Sequence, residues 1–243
     1  MKMTVLGCGD AFGSEGRFNT SFYLEEGNRK ILVDCGASTL IRLKQLQIPV
    51  DQTDTIIITH FHGDHYGGLP FLMLSNWIEY QRTTPLTIIG PKGIEEKARN
   101  LQEALYPGTT NVIDSMDINY KEYEESRWVQ HEEIGIYAQK VSHAPPSNPH
   151  GVKVKIGEKV FAFSGDTEWN DSLIDLAEAS DAFVVECNNY LEDSPGHLSY
   201  KTIMEKMNQF NTKKIYLTHM GSEVIGQPQL DLERLEDGMR IEI

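Results

Sequence analysis

The stretch "TIIITHFHGDHYGGLP", Thr55 to Pro70, places the tightest constraint on this chain. "TIIIT" is β-branched throughout and reads as a buried strand. Four residues of metal-ligating type, His60, His62, Asp64 and His65, follow it directly. The chain has eight histidines, so three of them gather at the carboxyl end of one strand. His60 and His62 point together if the turn after the strand is tight, and Gly63 is expected to supply the bend. Asp64 and His65 then face another way, which suits a second metal close to the first.

Short apolar runs alternate with helical patterns on both sides of that stretch. "MTVLGCG", "SFYLEE" and "KILVDCG" read as strands, and "ASTLIRLKQLQI" as a helix closed by Pro49. "GGLPFLMLSNWIEY" is mostly helix, "LTIIG" a strand and "KGIEEKARNLQEAL" an amphipathic helix. The segment from Tyr106 to His131 is poorly patterned, acidic in "EYEESRWVQHEE", and reads as a candidate insertion. Strands return in "IGIYAQKVSH", "GVKVKIG" and "KVFAFSG", the last two joined by a hairpin turn at Gly157–Glu158. A second alternation follows: helix "DSLIDLAEA", strand "AFVVEC", helix "LSYKTIMEKMNQF", strand "KKIYLTH". Two such halves predict an α/β (α+β) fold of two sheets face to face with helices outside. With no repeat, low-complexity segment or linker, residues 1–243 read as one domain.

Composition narrows the functional classes. The chain is 40% hydrophobic and 24% charged, which suits a globular domain with a sizeable core. No run approaches the roughly 18 apolar residues of a membrane span. The opening "MKMTVLGCGDAFG" has no long apolar targeting region, so a cytoplasmic location is expected. Cys8, Cys35 and Cys187 lack any CxxC pairing and read as buried free thiols. With 22 basic against 36 acidic residues the formal net charge is −14, which argues against extended nucleic-acid binding.

Three further ligand candidates stand at the ends of other predicted strands: His143 after "YAQKVS", Asp166 after "FAFSG" and His219 after "IYLT". With the first four they make five histidines and two aspartates. Such a set can hold two zinc-like ions if one aspartate bridges them.

On these residues the chain resembles the metallo-β-lactamase-fold hydrolases, in the branch containing ribonuclease Z and the phosphodiesterase of bacterial phosphonate breakdown. The match runs from the first strand to "LTHM". The resemblance implies a four-layer αββα sandwich. It implies that His60, His62 and His143 bind one metal, that Asp64, His65 and His219 bind the other, and that Asp166 bridges, so that a metal-bridging hydroxide attacks phosphorus with Asp64 in the catalytic machinery. Asp34 in "LVDCG" matches the family's early aspartate, which supports the metal loop from behind. "GCGDAFGSEGRFNTSF" resembles the glycine-rich first hairpin of the branch, and "FSGDT" and "GHLS" resemble its phosphodiesterase motifs. His197 then stands where a histidine protonates the leaving group, with Glu186 in "VVEC" as its carboxylate partner. True β-lactamases of the dinuclear kind usually have cysteine where Asp166 stands, and flavin-linked di-iron relatives carry HxExD in place of HxHxDH. His131 and His150 match no motif and read as surface histidines, His150 lying near His143 in sequence.

The resemblance also bears on substrate. Ribonuclease Z of the short bacterial type grips the tRNA elbow with an arm inserted between the residues matching His143 and Asp166. Here "APPSNPHGVKVKIGEKVFAFSG" fills that interval with one loop and two strands. The phosphonate-pathway enzyme lacks the arm but carries a cysteine-based zinc site near its start that is missing here. The expected function is a dinuclear metal-dependent phosphodiesterase for small, cyclic nucleotide-like or sugar phosphodiesters. The alternatives are tRNA 3′ processing and thiolester or lactone hydrolysis. Two divalent cations are implied, zinc first, with manganese or iron also suited to the ligands. The expected partner is a small phosphodiester, with no membrane, and a homodimer is left open.

Overall fold

The computed structural model describes residues 1–243, the side chain of Val112 excepted. Alternating apolar residues near the start form an antiparallel meander of β1 (Lys2–Gly7), β2 (Ser21–Glu26) and β3 (Arg29–Val33). Strands β4 (Thr55–Ile57), β5 (Leu86–Gly90) and β6 (Ile118–Glu122) extend that sheet in parallel. A second sheet holds β7 (Trp128–His131), β8 (Ile134–Lys140), β9 (His150–Ile156), β10 (Lys159–Phe163), β11 (Ala182–Glu186), β12 (Ile215–Thr218) and β13 (Glu233–Arg234) as spatial neighbours in sequence order. The last strand, β14 (Arg240–Glu242), returns to the first sheet beside β1.

Helices connect the strands. The first half carries α1 (Thr39–Gln45), α2 (Gly63–Tyr66), α3 (Leu69–Ile78), α4 (Ile94–Leu105) and α5 (Thr110–Asp114). The second carries α6 (Ser172–Ala177), α7 (Tyr200–Lys206) and α8 (Ser222–Ile225). One core packs Leu32, Ile56 and Ile88 of the first sheet under Leu43 of α1, Leu72 of α3 and Ala98 of α4. A second core lies between the sheets, where Ile57 and Ile89 join Phe161, Phe163 and Val184. Ile56, Ile57 and Ile58 are apolar in succession because each face of the strand meets one of these cores. Phe22 of β2 crosses to the second sheet, its ring 5.6 Å from Phe161 and 5.2 Å from Phe163. Burying each such ring stabilises the sandwich by about 1.5–3 kcal/mol.

The segment from Tyr106 to His131 is not an insertion. It contains α5, β6 and β7, and carries the chain from the edge of one sheet to the edge of the other. Its strands are half-exposed edge strands, so polar residues interrupt their pattern. A second crossing, from β13 to β14, closes the opposite edges. Both of those strands are too short to show a period. The three cysteines are buried free thiols. Among the described residues no helix is long and apolar enough to cross a membrane.

Candidate metal centre

Strand β4 gives way to the metal loop over Asp34, which follows β3 in the left-handed region at φ 60°. The buried Asp34 carboxylate accepts three hydrogen bonds: from Thr59 N at 2.7 Å, from Thr59 Oγ1 at 2.8 Å and from His65 Nδ1 at 2.7 Å. These contacts fix tautomers. The Thr59 hydroxyl donates to Asp34, so its oxygen accepts from His60 Nδ1 at 3.1 Å. A carbonyl can only accept, so His143 Nδ1 donates to Gly196 O at 2.8 Å. In all three rings the Nδ1 proton is engaged, and Nε2 is the nitrogen turned to the centre.

The expected role of Gly63 is not what bends this loop. Its φ is not positive, and a Cβ there would meet nothing within 4 Å. The tight contacts lie behind it: a Cβ on Gly36 would sit 1.9 Å from Asp64 O, and one on Gly68 would sit 2.1 Å from Gly36 O. Backbone packed on backbone seats α2 and so aims Asp64 and His65.

All seven residues implied as ligands come together. His60, His62 and His143 form one group; Asp64, His65, Asp166 and His219 form a second, with the donor atoms in each group within 4.8 Å of one another. Asp166 Oδ2 lies between them, 3.8 Å from His60 Nε2, 3.3 Å from His65 Nε2, 4.0 Å from His143 Nε2 and 3.2 Å from His219 Nε2. Asp64 Oδ2 is 3.1 Å from His65 Nε2 and 3.3 Å from His219 Nε2. His62 Nδ1 and His143 Nε2 face each other at 3.0 Å.

The donor set fits divalent cations. His60 Nε2, His65 Nε2 and Asp166 Oδ1 are buried without a hydrogen-bond partner, an expensive state unless something else satisfies them. Burial lowers the pKa of His60, His62 and His143, leaving them neutral with lone pairs available. Burial acts the same way on His219, but Asp166 and Asp64 outweigh it and lift it to about 9. His65 is raised as well, burial being overcome by Asp166, Asp64 and Asp34. The carboxylates thus concentrate negative potential where a cation would sit.

His197 and Glu186 meet at the rim. Glu186 ends β11, fully buried, and its Oε1 accepts from His197 Nδ1 at 2.9 Å and from Thr167 N at 2.9 Å. The His197 ring lies 4.9 Å from that of His143 and 5.4 Å from that of His219. Of the two histidines read as surface residues, His131 lies on the edge strand β7, beside Lys121 Nζ at 3.3 Å. His150, by contrast, is buried behind the metal loop. Its backbone N–H donates to Thr59 O, its ring lies 5.3 Å from that of Tyr123, and Nε2 is 3.5 Å from Glu125 Oε1. Those partners come from the crossover segment, which no local pattern announced.

Two supporting residues, Thr59 and Glu168, carry no sequence signal beyond nearness to the candidate ligands, and Gly196 is marked only as the first residue of "GHLS". Glu168 Oε1 accepts from Gly196 N at 2.8 Å. Gly196 has φ 83°, and a Cβ there would sit 2.5 Å from His143 Nδ1.

A family model described as anti-Pycsar protein Apyc1 matches residues 1–231. The chain belongs to this family. Among curated relatives, a ribonuclease Z of Agathobacter rectalis is 32% identical over 155 residues, 64% of this chain and 49% of the relative. On that alignment the chain spans about half the length of the curated relative it matches. A ribonuclease Z of Bacillus thuringiensis is 26% identical over 288 aligned positions, 96% of this chain and 92% of the relative. That alignment is longer than this chain, so the Bacillus relative carries residues that this chain lacks. Among solved structures, the metallo-β-lactamase fold protein YhfI of Bacillus subtilis superposes with a TM-score of 0.78 at 19% identity, covering 99% of each chain. The fold is the metallo-β-lactamase sandwich.

Proposed function

We propose that the chain is a dinuclear metal-dependent phosphodiesterase acting on small phosphodiesters, cyclic nucleotides and sugar phosphodiesters among them. His60, His62 and His143 would hold one divalent cation, Asp64, His65 and His219 the other, with Asp166 between. Imidazole and carboxylate donors without thiolate suit zinc first, and manganese or iron also. Two such cations supply Lewis acidity to a phosphoryl group and a nucleophile drawn from water at neutral pH. The chain's own residues do the rest. Asp34, Thr59 and Gly196 hold three imidazoles in the ligating tautomer, and Asp64 and Asp166 neutralise charge at the centre. Glu186 holds Nδ1 of His197, so that Nε2–H is the proton offered to the departing alkoxide.

The observation that carries the choice of small substrates is the interval between His143 and Asp166. It holds a short turn at Pro145–Ser147 and the hairpin of β9 and β10, and those strands are paired within the sheet along their length. That leaves no arm for a tRNA elbow, and the net charge of −14 offers little to a long phosphate backbone. Ribonuclease Z activity is the second reading, favoured by the relatives of that name. Purified protein should first be assayed for bound metals. It should then be incubated with cyclic nucleotides, a bis-aryl phosphate and a precursor tRNA. Hydrolysis of the small diesters is expected. Site-specific cleavage of the tRNA 3′ of the discriminator base, with cyclic nucleotides untouched, would overturn the proposal.

A further inference from the structure

Three loops carry the proposed chemistry on the second sheet: His143 after β8, Asp166 after β10 and His197 ahead of α7. One residue, on the loop of Asp166, reaches the other two. Glu168 donates its backbone N–H to Ser142 O at 2.7 Å, and its Oε2 is 3.4 Å from Ser142 Oγ, beside His143. It stands two residues beyond Asp166, and the preceding Thr167 accepts from Ser142 N through Oγ1 at 3.0 Å. Its Oε1 takes the Gly196 N–H at 2.8 Å, next to His197. Gly196, so held at its N–H, accepts at its own carbonyl from His143 Nδ1 at 2.8 Å. Only glycine fits there, given its left-handed φ and the lack of room for a Cβ against the His143 ring.

We propose that Glu168 is a positioning residue that acts through Gly196: its carboxylate fixes the backbone of Gly196, whose carbonyl holds His143 in the Nδ1–H tautomer and keeps Nε2 free for a metal, in register with His197. This rests on the reading of His143 as a ligand. The hydrogen bonds run in one direction, Gly196 N–H to carboxylate and His143 Nδ1–H to carbonyl, so neither can reverse to suit the other tautomer. Such outer contacts typically change metal affinity by ~10–100-fold.

The test uses the full chain stripped of metal and titrated with Zn²⁺ against a chromophoric chelator, with histidine ¹⁵N spectra recorded in parallel. Glu168→Ala should weaken one of the two Zn²⁺ equivalents by ~10–100-fold and broaden or shift the His143 Nδ1–H signal. Glu168→Gln keeps an acceptor oxygen for Gly196 N–H and should behave as the parent, which a role resting on charge would not allow. Parental affinity for both equivalents in Glu168→Ala overturns the inference while leaving the ligand reading standing. A parent that binds no Zn²⁺ removes both. If the alanine variant fails to fold, the parent spectrum decides: His143 protonated at Nε2 overturns the relay.

Discussion

His197 Nδ1 donates to Glu186 Oε1 at 2.9 Å, an imidazole with 22% of its side chain exposed resting on a carboxylate that has none. Burial alone would lower the His197 pKa, but the Glu186 hydrogen bond and charge raise it above the ordinary histidine value. A general acid must hold its proton, so the rate should fall as pH rises through that raised value, at higher pH than an ordinary histidine would set. Glu186→Gln removes the upward push, and the alkaline limb of the kcat profile should move to lower pH. His197→Ala should keep both metals but lose ~10²–10⁴-fold in turnover. The loss should shrink for a nitrophenolate, which departs unprotonated. An equal loss across leaving groups would return His197 to a structural role.

Asp166 Oδ2 lies within 4.0 Å of four imidazoles, two from each group. Asp166→Ala, Asp64→Ala and His65→Ala should each abolish hydrolysis of a bis-aryl phosphate while circular dichroism stays native. Elemental assay should find about two ions per chain in the parent, as seven ligands with one shared require, and fewer in the variants. Chelation should lower the melting temperature of the parent in a metal-dependent way, since ligand bound to the native state alone stabilises it by mass action. Full activity in Asp166→Ala would sink the dinuclear centre.

The parts of this molecule that could be read from sequence are those whose physics is local. Ile56 to Ile58 and Ala182 to Val185 pack into apolar layers, so these runs are apolar without a break and the strands are plain. HxHxDH concentrates ligand types within one turn of chain. β6, β7, β13 and β14 are edge or terminal strands with half their residues in water, and their pattern dissolves into that of a loop. His150 looked like a surface residue because what buries it, Tyr123 and Glu125, arrives from the crossover. Glu168 was silent for the same reason: its side-chain partners Ser142 and Gly196 lie 26 and 28 positions away.

Glycine at the metal loop offers a test that needs no substrate. The sequence points to Gly63, inside the motif, as the flexible position, whereas the structure shifts that role to Gly36. A Cβ on Gly36 would lie 1.9 Å from Asp64 O, 2.7 Å from Asp64 C and 2.9 Å from Asn19 Cβ, and two of these atoms are backbone. Nothing flexible can yield, so the start of α2 must be displaced, carrying Asp64 and His65 with it. Overpacking of this kind costs ~1–3 kcal/mol or more, and Gly36→Ala should lose both denaturant resistance and metal occupancy. Gly63 has open space around it and an ordinary φ at the first residue of α2. Gly63→Ala restricts the unfolded chain without straining the native one, and should be neutral or stabilising by up to about 1 kcal/mol with metal content unchanged. Urea midpoints and metal content of the two variants check this together. A Gly36→Ala protein with parental stability and full occupancy would mean that the approach of the two backbones does not hold α2 in place.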